Sequence, residues 1–357
     1  MAETLNQIAA QVAHSVDLQR LANSIARGEN AEYDKLAKFI RELLLEYDTI
    51  NSKKLRDELI KQITAEVAET ADNVTASMLS QIDDVIRQEV NFQWVVLRNI
   101  SSKKPIKPKL DAVSRAILNQ PLVLNGKGLT WEERIGAFKS NQVQAAKQII
   151  MAGWSNGQTT NEISRQLIGT RTTRGVIDQS KTAANALVKD LITHIASMTR
   201  AEVARQNSDI VRGEKTIVTL DSRTSPICQN YGSQDNGGKE WIYAEDGRNF
   251  PRPPFHYRCR SINIMLVNEE YDLEIETTRP AVVDGKAIQV DSKTDWLTLA
   301  KRYPSLAEQA LGKTRAKIIE NMSASEFKRV AFNSLNEYNT IDEMVANSKK
   351  VAGLLKA

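Results

Sequence analysis

Apolar positions recur at helical spacing through the first hundred residues. Leu5, Ile8, Val12, Val16, Leu21 and Ile25 fall on one face, and Gly28 is a natural helix stop. From Glu29 to Lys104 the chain contains neither Gly nor Pro. Within that stretch Tyr33, Leu36, Ile40, Leu43, Leu44 and Tyr47 mark one apolar stripe. Leu55, Leu59, Ile63 and Val67 mark a second, which Met78, Ile82, Val85 and Ile86 extend. The repeat is not a clean heptad, so the pattern predicts long packed helices rather than an isolated coiled coil. SSKKPIKPKL, residues 101–110, breaks it with two prolines and four lysines, which reads as a solvated linker.

A short helix over 110–119 and a turn or hairpin at PLVLNGKGL are expected next. Thr130 with Glu133, Thr159 with Glu162 and Ser323 with Glu326 each make a Ser/Thr-x-x-Glu capping box, so three helix starts are marked. The first of these helices carries Ile135, Phe138, Val143 and Ile149 and breaks at Gly153. The second is short and ends at Gly169. It reads as a packing helix, not a DNA-reading one, because no helix dense in Arg, Asn or Gln stands out. A long helix over residues 173–211, closed by Gly213, follows. Then the texture changes. KTIVTL (215–220), KEWIY and SINIML are β-branched or aromatic and short, and SQDNGGKE, AEDGRNF and PRPP separate them as turns. A module of about fifty residues is too small for a large core of its own and calls for a metal or for burial against the preceding helix. Beyond Val267 an acidic stretch, NEEYDLEIETTRP, leads to a loop-like segment at 280–291 with a hairpin signal at Asp284-Gly285, and helices return from Asp295.

The division expected is a helical region at 1–100, a linker and turn at 101–128, a helical domain at 129–214, the small module at 215–270 and a helical tail at 271–357. The fold class is mainly α with a small α+β module. Composition agrees with this. At 357 residues there is room for two or three domains, and an aromatic content of 6% with sparse Gly and Pro favours helices. A net charge of +4, from 48 basic and 44 acidic residues, is too balanced to argue nucleic-acid binding by itself. No uninterrupted apolar run is long enough to span a bilayer. MAETLNQIAAQ lacks the basic-then-apolar order of a signal peptide. Two cysteines in so long a chain argue against a disulfide scaffold and fit a reducing cytosol.

Both cysteines, Cys228 and Cys259, lie between Asp221 and Arg260, together with His256, one of three histidines. Zinc prefers four N, S or O donors in a tetrahedron. Cys228, His256 and Cys259 supply three, which makes this a short-stranded zinc-binding module flanked by long helices. Asp221, Asp235, Asp246 or a water can supply the fourth. The plainer alternative makes both cysteines small buried hydrophobes and gives His256 a local hydrogen bond. Asp221, at a strand end, can accept turn N–H groups, and Arg223 can pair with it or with Glu202 of the long helix. Asp221, Arg223, His256 and Arg260 then form mainly a structural network. Cys228 with His256 also offers a thiol nucleophile and base, but paired carboxylates and an oxyanion element are missing from the pattern.

The order of these elements is itself informative. TRAEVARQN (199–207), a strand, DSRTSPIC, a Gly-containing turn, a hydrophobic-Tyr segment and PPFHYRCR together resemble the Mu-F-like minor head, or head morphogenesis, proteins of tailed bacteriophages. ALGKTRAKIIE after a Trp-containing segment and a Pro resembles the family's tail. The resemblance covers roughly residues 130–345. Two positions depart from it: Cys259-Arg260-Ser261 stands where the family often has Cys-Arg-Cys, and Tyr257 where Pro is usual. A site built on a second C-terminal cysteine is therefore absent. The family implies a low-copy protein of the capsid interior, made in the host cytoplasm, bound to the portal protein and acting in head assembly, DNA packaging or early ejection. Arg248, Arg252 and Arg258, near Arg260, then become candidate contacts to packaged DNA or to the portal. The alternative class is a metal- or thiol-dependent enzyme, a nuclease or transferase, delivered with the virion. No membrane partner is expected.

Overall fold

The apolar stripes of the first hundred residues find their partners further along the chain. The computed structural model describes residues 6–124, 127–235, 237–273 and 278–356. Leu5, the Asn125-Gly126 tip of the PLVLNGKGL turn, Asn236 and residues 274–277 of the acidic stretch lie outside them. The N-terminal helices are α1 (Gln7–Gly28), α2 (Asn30–Leu45), α3 (Lys53–Ser80) and α4 (Ile82–Ile100). Asn6 and Ser52 cap α1 and α3, their side chains accepting the N–H groups of Ala9 and Leu55. Next come α5 (Leu110–Asn119), the β1 (Leu122–Leu124) and β2 (Lys127–Leu129) hairpin, α6 (Trp131–Ser155), α7 (Thr160–Ile168) and α8 (Val176–Gln206). Helix α3 lies along α6, while α1, α4 and α5 lie along α8. Leu36, Ile63 and Val67 thus share one core with Phe138, Ile150 and Val188. Regions 1–100 and 129–214 are not separate bodies.

The 101–110 segment is not a solvated linker either. Pro105 and Pro108 are buried. The Ile106 N–H donates to Asn207 Oδ1 (2.6 Å) and its carbonyl accepts from Asn207 Nδ2 (2.9 Å), while Lys103 pairs with Asp209 at 2.7 Å. The segment straps the end of α8.

The long helix ends at Gln206 rather than at 211, because Asn207 leaves helical geometry to hold this strap. Strand β3 (Val211–Ile217) then absorbs Gly213, which is no helix stop. A Cβ at Gly213 would lie 2.3 Å from the Trp241 carbonyl oxygen, so only glycine lets the neighbouring strand close in there. After α9 (Pro226–Tyr231), β4 (Glu240–Ile242), α10 (Tyr243–Asp246) and β5 (Ile262–Val267), the strands assemble as an antiparallel sheet in the order β4-β3-β5. Gln7 of α1 covers the open edge of β5. Its Nε2 donates to the Met265 carbonyl (3.0 Å) and its Oε1 accepts the Met265 N–H (2.9 Å), so a side-chain amide stands in for a strand.

Residues 280–291 are not a loop. Strands β6 (Thr278–Val283) and β7 (Lys286–Asp291) pair around Asp284-Gly285, with φ of 50° and 74°, the two-residue hairpin turn that the sequence signals. Helices α11 (Trp296–Arg302), α12 (Pro304–Glu320), α13 (Ala324–Ala331), α14 (Ile341–Asn347) and α15 (Lys349–Lys356) complete the chain. All three marked capping boxes form, and a fourth, Thr340 with Glu343, heads α14. These helices are not a tail. Trp296, Leu297, Ile318 and Phe327 share one core with Val218, Leu220, Cys228, Phe255 and Cys259. Each such side chain contributes about 1.5–3 kcal/mol on burial, so the cysteine side of the small module takes its core from the C-terminal helices, while Val211, Met265 and Val267 of its sheet pack on Val203 of the preceding α8 and on Leu97 of α4. Among the described residues no helix is long and apolar enough to cross a membrane.

Candidate metal centre

Two short segments bring the cysteines and the histidine together. After β3 the chain turns through Asp221-Ser222-Arg223-Thr224. The Asp221 Oδ1 accepts the Arg223 N–H (3.0 Å) and the Thr224 hydroxyl (3.1 Å). This turn starts α9 at Pro226, where a missing N–H costs nothing, and α9 carries Cys228 inward. The second segment, residues 253–261, returns beneath it. Phe255 stacks on Tyr231 at 4.7 Å between ring centroids. Arg258 adopts φ 58° and gives its backbone N–H to Asp190 Oδ1 (2.9 Å), which ties the segment to α8.

The three donor atoms of Cys228, His256 and Cys259 all lie within 4.8 Å of one another. The sulfurs are 3.8 Å apart, and Cys228 Sγ is 3.2 Å from His256 Nε2. Both cysteines are free and buried. His256 Nδ1 sits 2.9 Å from the Tyr257 carbonyl, which can only accept, so Nδ1 carries the proton in that bond. In the neutral ring Nε2 then presents its lone pair to Cys228 and to the Ser225 hydroxyl at 2.8 Å. A carbonyl holding the far nitrogen is the usual outer support of a metal-ligating histidine. Two thiolates about 2.3 Å from a tetrahedral ion are about 3.8 Å apart, so the sulfur spacing fits a metal ion without rearrangement.

The charges point the same way. The neighbouring Cys259, together with burial, pushes the Cys228 thiol up. Burial opposes ionisation of Cys259 too, but contacts with Cys228 and His256 outweigh it and hold that thiol well below its ordinary range. Burial alone would lower His256; the Cys259 thiolate beside it raises it instead. The group is thus built to hold one thiolate against one cation, and a metal ion can replace the shared protons.

Several residues expected at the site are elsewhere. Asp221 is not a fourth ligand. Its two oxygens form a bidentate pair with Arg260 (2.5 and 2.9 Å), which outweighs the effect of burial and leaves the carboxyl below its usual range. Asp235 accepts the Glu240 N–H and Asp246 the Ile242 N–H, so both hold turns. Two hydroxyls also touch the group, Ser225 on His256 and Ser261 at 3.1 Å from Cys228 Sγ. Glu202 does not reach Arg223. It is held by Arg205 (2.6 and 2.7 Å) and Gln206 within α8, and the Arg223 side chain is exposed. Of the expected network, the Asp221–Arg260 pair forms. The lock to α8 comes from Asp190, which no local pattern marks.

The three other arginines also divide. Arg252 is not a surface contact: its guanidinium lies 2.8 Å from the fully buried Glu214 carboxylate and 3.9 Å from the Phe250 ring centroid. Arg248 lies over Tyr243 at 3.8 Å, and its carbonyl accepts from Arg252 Nη1. Arg258 has an exposed side chain. Two further residues that sequence reasoning passed over hold the site from behind. Trp296 Nε1 donates to the Asp221 carbonyl (3.0 Å), and the buried Arg279 donates to the carbonyls of Gly237 (3.0 Å) and Val218. A lone Trp after a loop and an Arg at the end of an acidic stretch carry no signal of such roles.

Fold and site together define a mainly helical protein with a small α+β part that holds a Cys-His-Cys group, its two cysteines buried and its histidine half-buried, able to hold a metal ion. Comparison with protein-family models, with curated proteins and with solved structures found no match for this chain.

Proposed function

We propose that this chain is a minor head protein of the Mu-F-like type, a structural virion component of a tailed bacteriophage. In this reading it lies inside the capsid on the portal, acts in head assembly, DNA packaging or early ejection, and carries a structural zinc ion on Cys228, His256 and Cys259. One observation carries the reading. DSRTSPIC and PPFHYRCR, the two elements behind the resemblance, meet at one Cys-His-Cys group whose two cysteines are buried. Two of the carboxylates near it are spent on internal pairs, Asp221 with Arg260 and Glu214 with Arg252. When bound, zinc would link α9 to the segment before β5, and Ser225 and the Tyr257 carbonyl would hold His256 in position.

The thiol-enzyme reading has the 3.2 Å approach of Cys228 to His256 in its favour. Against it, the Cys228 thiol is buried and pushed up, the reverse of what a nucleophile needs. Two measurements test the proposal. Metal analysis of the purified full chain is expected to give one zinc per chain, lost on Cys228→Ser; no zinc would remove the metal half. Disrupting the gene in its phage is expected to lower the yield of infectious heads. Normal yield and infectivity, with the protein missing from purified virions, would sink the virion half.

A further inference from the structure

A cavity of about 470 Å³ opens between α1, α8 and the segment that carries Cys259. That volume suits a small molecule of nucleotide size. Lys189, Arg200, Arg223, Arg258 and Arg260 line it, and no Asp or Glu does among the described residues. Two of these cations already have partners: Arg260 has Asp221, and Arg200 donates to the side-chain oxygens of Gln11 and Gln93. The side chains of Lys189, Arg223 and Arg258 make no hydrogen bond or ion pair among the described residues, and Arg223 and Arg258 are exposed.

A second observation is independent of charge. Ser197 lines the same cavity, is 3% exposed, and its hydroxyl has no hydrogen-bond partner among the described residues. A buried hydroxyl without a partner costs about 1–3 kcal/mol, and a ligand oxygen brought within reach of it would offset that cost. Guanidinium and ammonium groups on the lining, a hydroxyl without a partner and no lining carboxylate among the described residues make up the donor set of an oxyanion site. We propose that this cavity binds the phosphoryl group of a small phosphate-bearing ligand, held by Lys189, Arg223 and Arg258 with Ser197 as the buried donor.

Crowding of like charge supports the assignment. Burial, and then the neighbouring Arg258, lower the Lys189 pKa against the opposing effect of Asp190, and an anion between Lys189 and Arg258 would offset their repulsion. The site does not depend on the virion role, since binding is read on the purified chain.

The test is calorimetric titration of the full-length protein with inorganic pyrophosphate, a 5′-phosphorylated dinucleotide, and an oligothymidylate without terminal phosphate, with sulfate at matched ionic strength as control. Pyrophosphate and the phosphorylated dinucleotide are expected to bind competitively and more tightly than sulfate. Arg223→Gln with Arg258→Gln should weaken pyrophosphate by about tenfold or more, and Ser197→Ala should weaken it severalfold. Arg174→Gln, in the groove beside the cavity, should leave it unchanged. Affinity no better than that of sulfate overturns the proposal. So does oligothymidylate binding that pyrophosphate cannot displace, which would assign the cations to a nucleic-acid backbone. If the double variant fails to fold by circular dichroism, Arg223→Gln and Ser197→Ala decide singly, and unchanged affinity in both overturns it.

Discussion

Replacing Arg252 by Met should loosen the β4-β3-β5 sheet and leave the N-terminal helices as they are. Glu214, on the central strand, is fully buried. Its carboxylate accepts from Arg252 Nε (3.0 Å) and Nη2 (2.8 Å), from the Tyr243 hydroxyl (3.0 Å) and from Asn263 Nδ2 (3.0 Å). Methionine keeps an apolar stem near the Phe250 ring and removes the only cation among these donors. Breaking a buried pair from one side costs about 3–5 kcal/mol. Two neutral donors remain and the carboxyl can take up a proton, so the lower end, about 3 kcal/mol, is expected. At 1.4 kcal/mol per tenfold, that is about a hundredfold faster hydrogen exchange through local opening. The assay is native-state exchange at pH 7, comparing amides of β3, β4 and β5 with those of α3 and α6. Adding Glu214→Gln removes the stranded charge but keeps an acceptor for Tyr243 and Asn263, and should recover more than half of the loss. Sheet amides exchanging within about threefold of the parent protein would refute the reasoning. So would a double variant whose losses simply add.

Asp190→Asn should show a pH-dependent gain. Burial raises the Asp190 pKa from 3.8 to about 6 despite the Arg258 N–H. The folded chain therefore binds this proton more tightly than the unfolded one. Its stabilising effect is full below 3.8 and is lost as pH rises through about 6. The variant should gain up to about 3 kcal/mol at pH 7 and little at pH 4 in thermal melts; a gain independent of pH would count against it. Cys259→Ser should speed exchange in α9, β6 and α11–α13, which share a core with Cys259, and spare α2, α3 and α7. Uniform acceleration across the chain would contradict that division. Gly213→Ala should separate β3 from β4, since its Cβ would meet backbone at 2.3 Å. Unchanged Trp241 fluorescence and an unchanged melt would show that the strands can move apart at little cost.

Local rules of the chain were enough for its local features. Helical spacing, the capping boxes at Thr130, Thr159 and Ser323, and the Asp284-Gly285 turn depend on contacts between near neighbours, and each is present as a helix start or hairpin. The convergence of Cys228 with His256 and Cys259 was legible for a similar reason. Rare ligand types lay on two turn-rich segments that short strands had to bring back together. The tertiary structure alone decided what those elements pack against. An apolar stripe records that a face is buried, but not by which helix, so the sharing of one core by α3 and α6, and of another by Trp296 and Cys259, left no mark in the local pattern. The same holds for charge. Asp221, Glu214 and Asp190 each had several basic or N–H partners within reach of a sequence argument. Only the packed chain chose Arg260, Arg252 and the Arg258 N–H, because a buried carboxylate is stable only beside the donor that is buried with it.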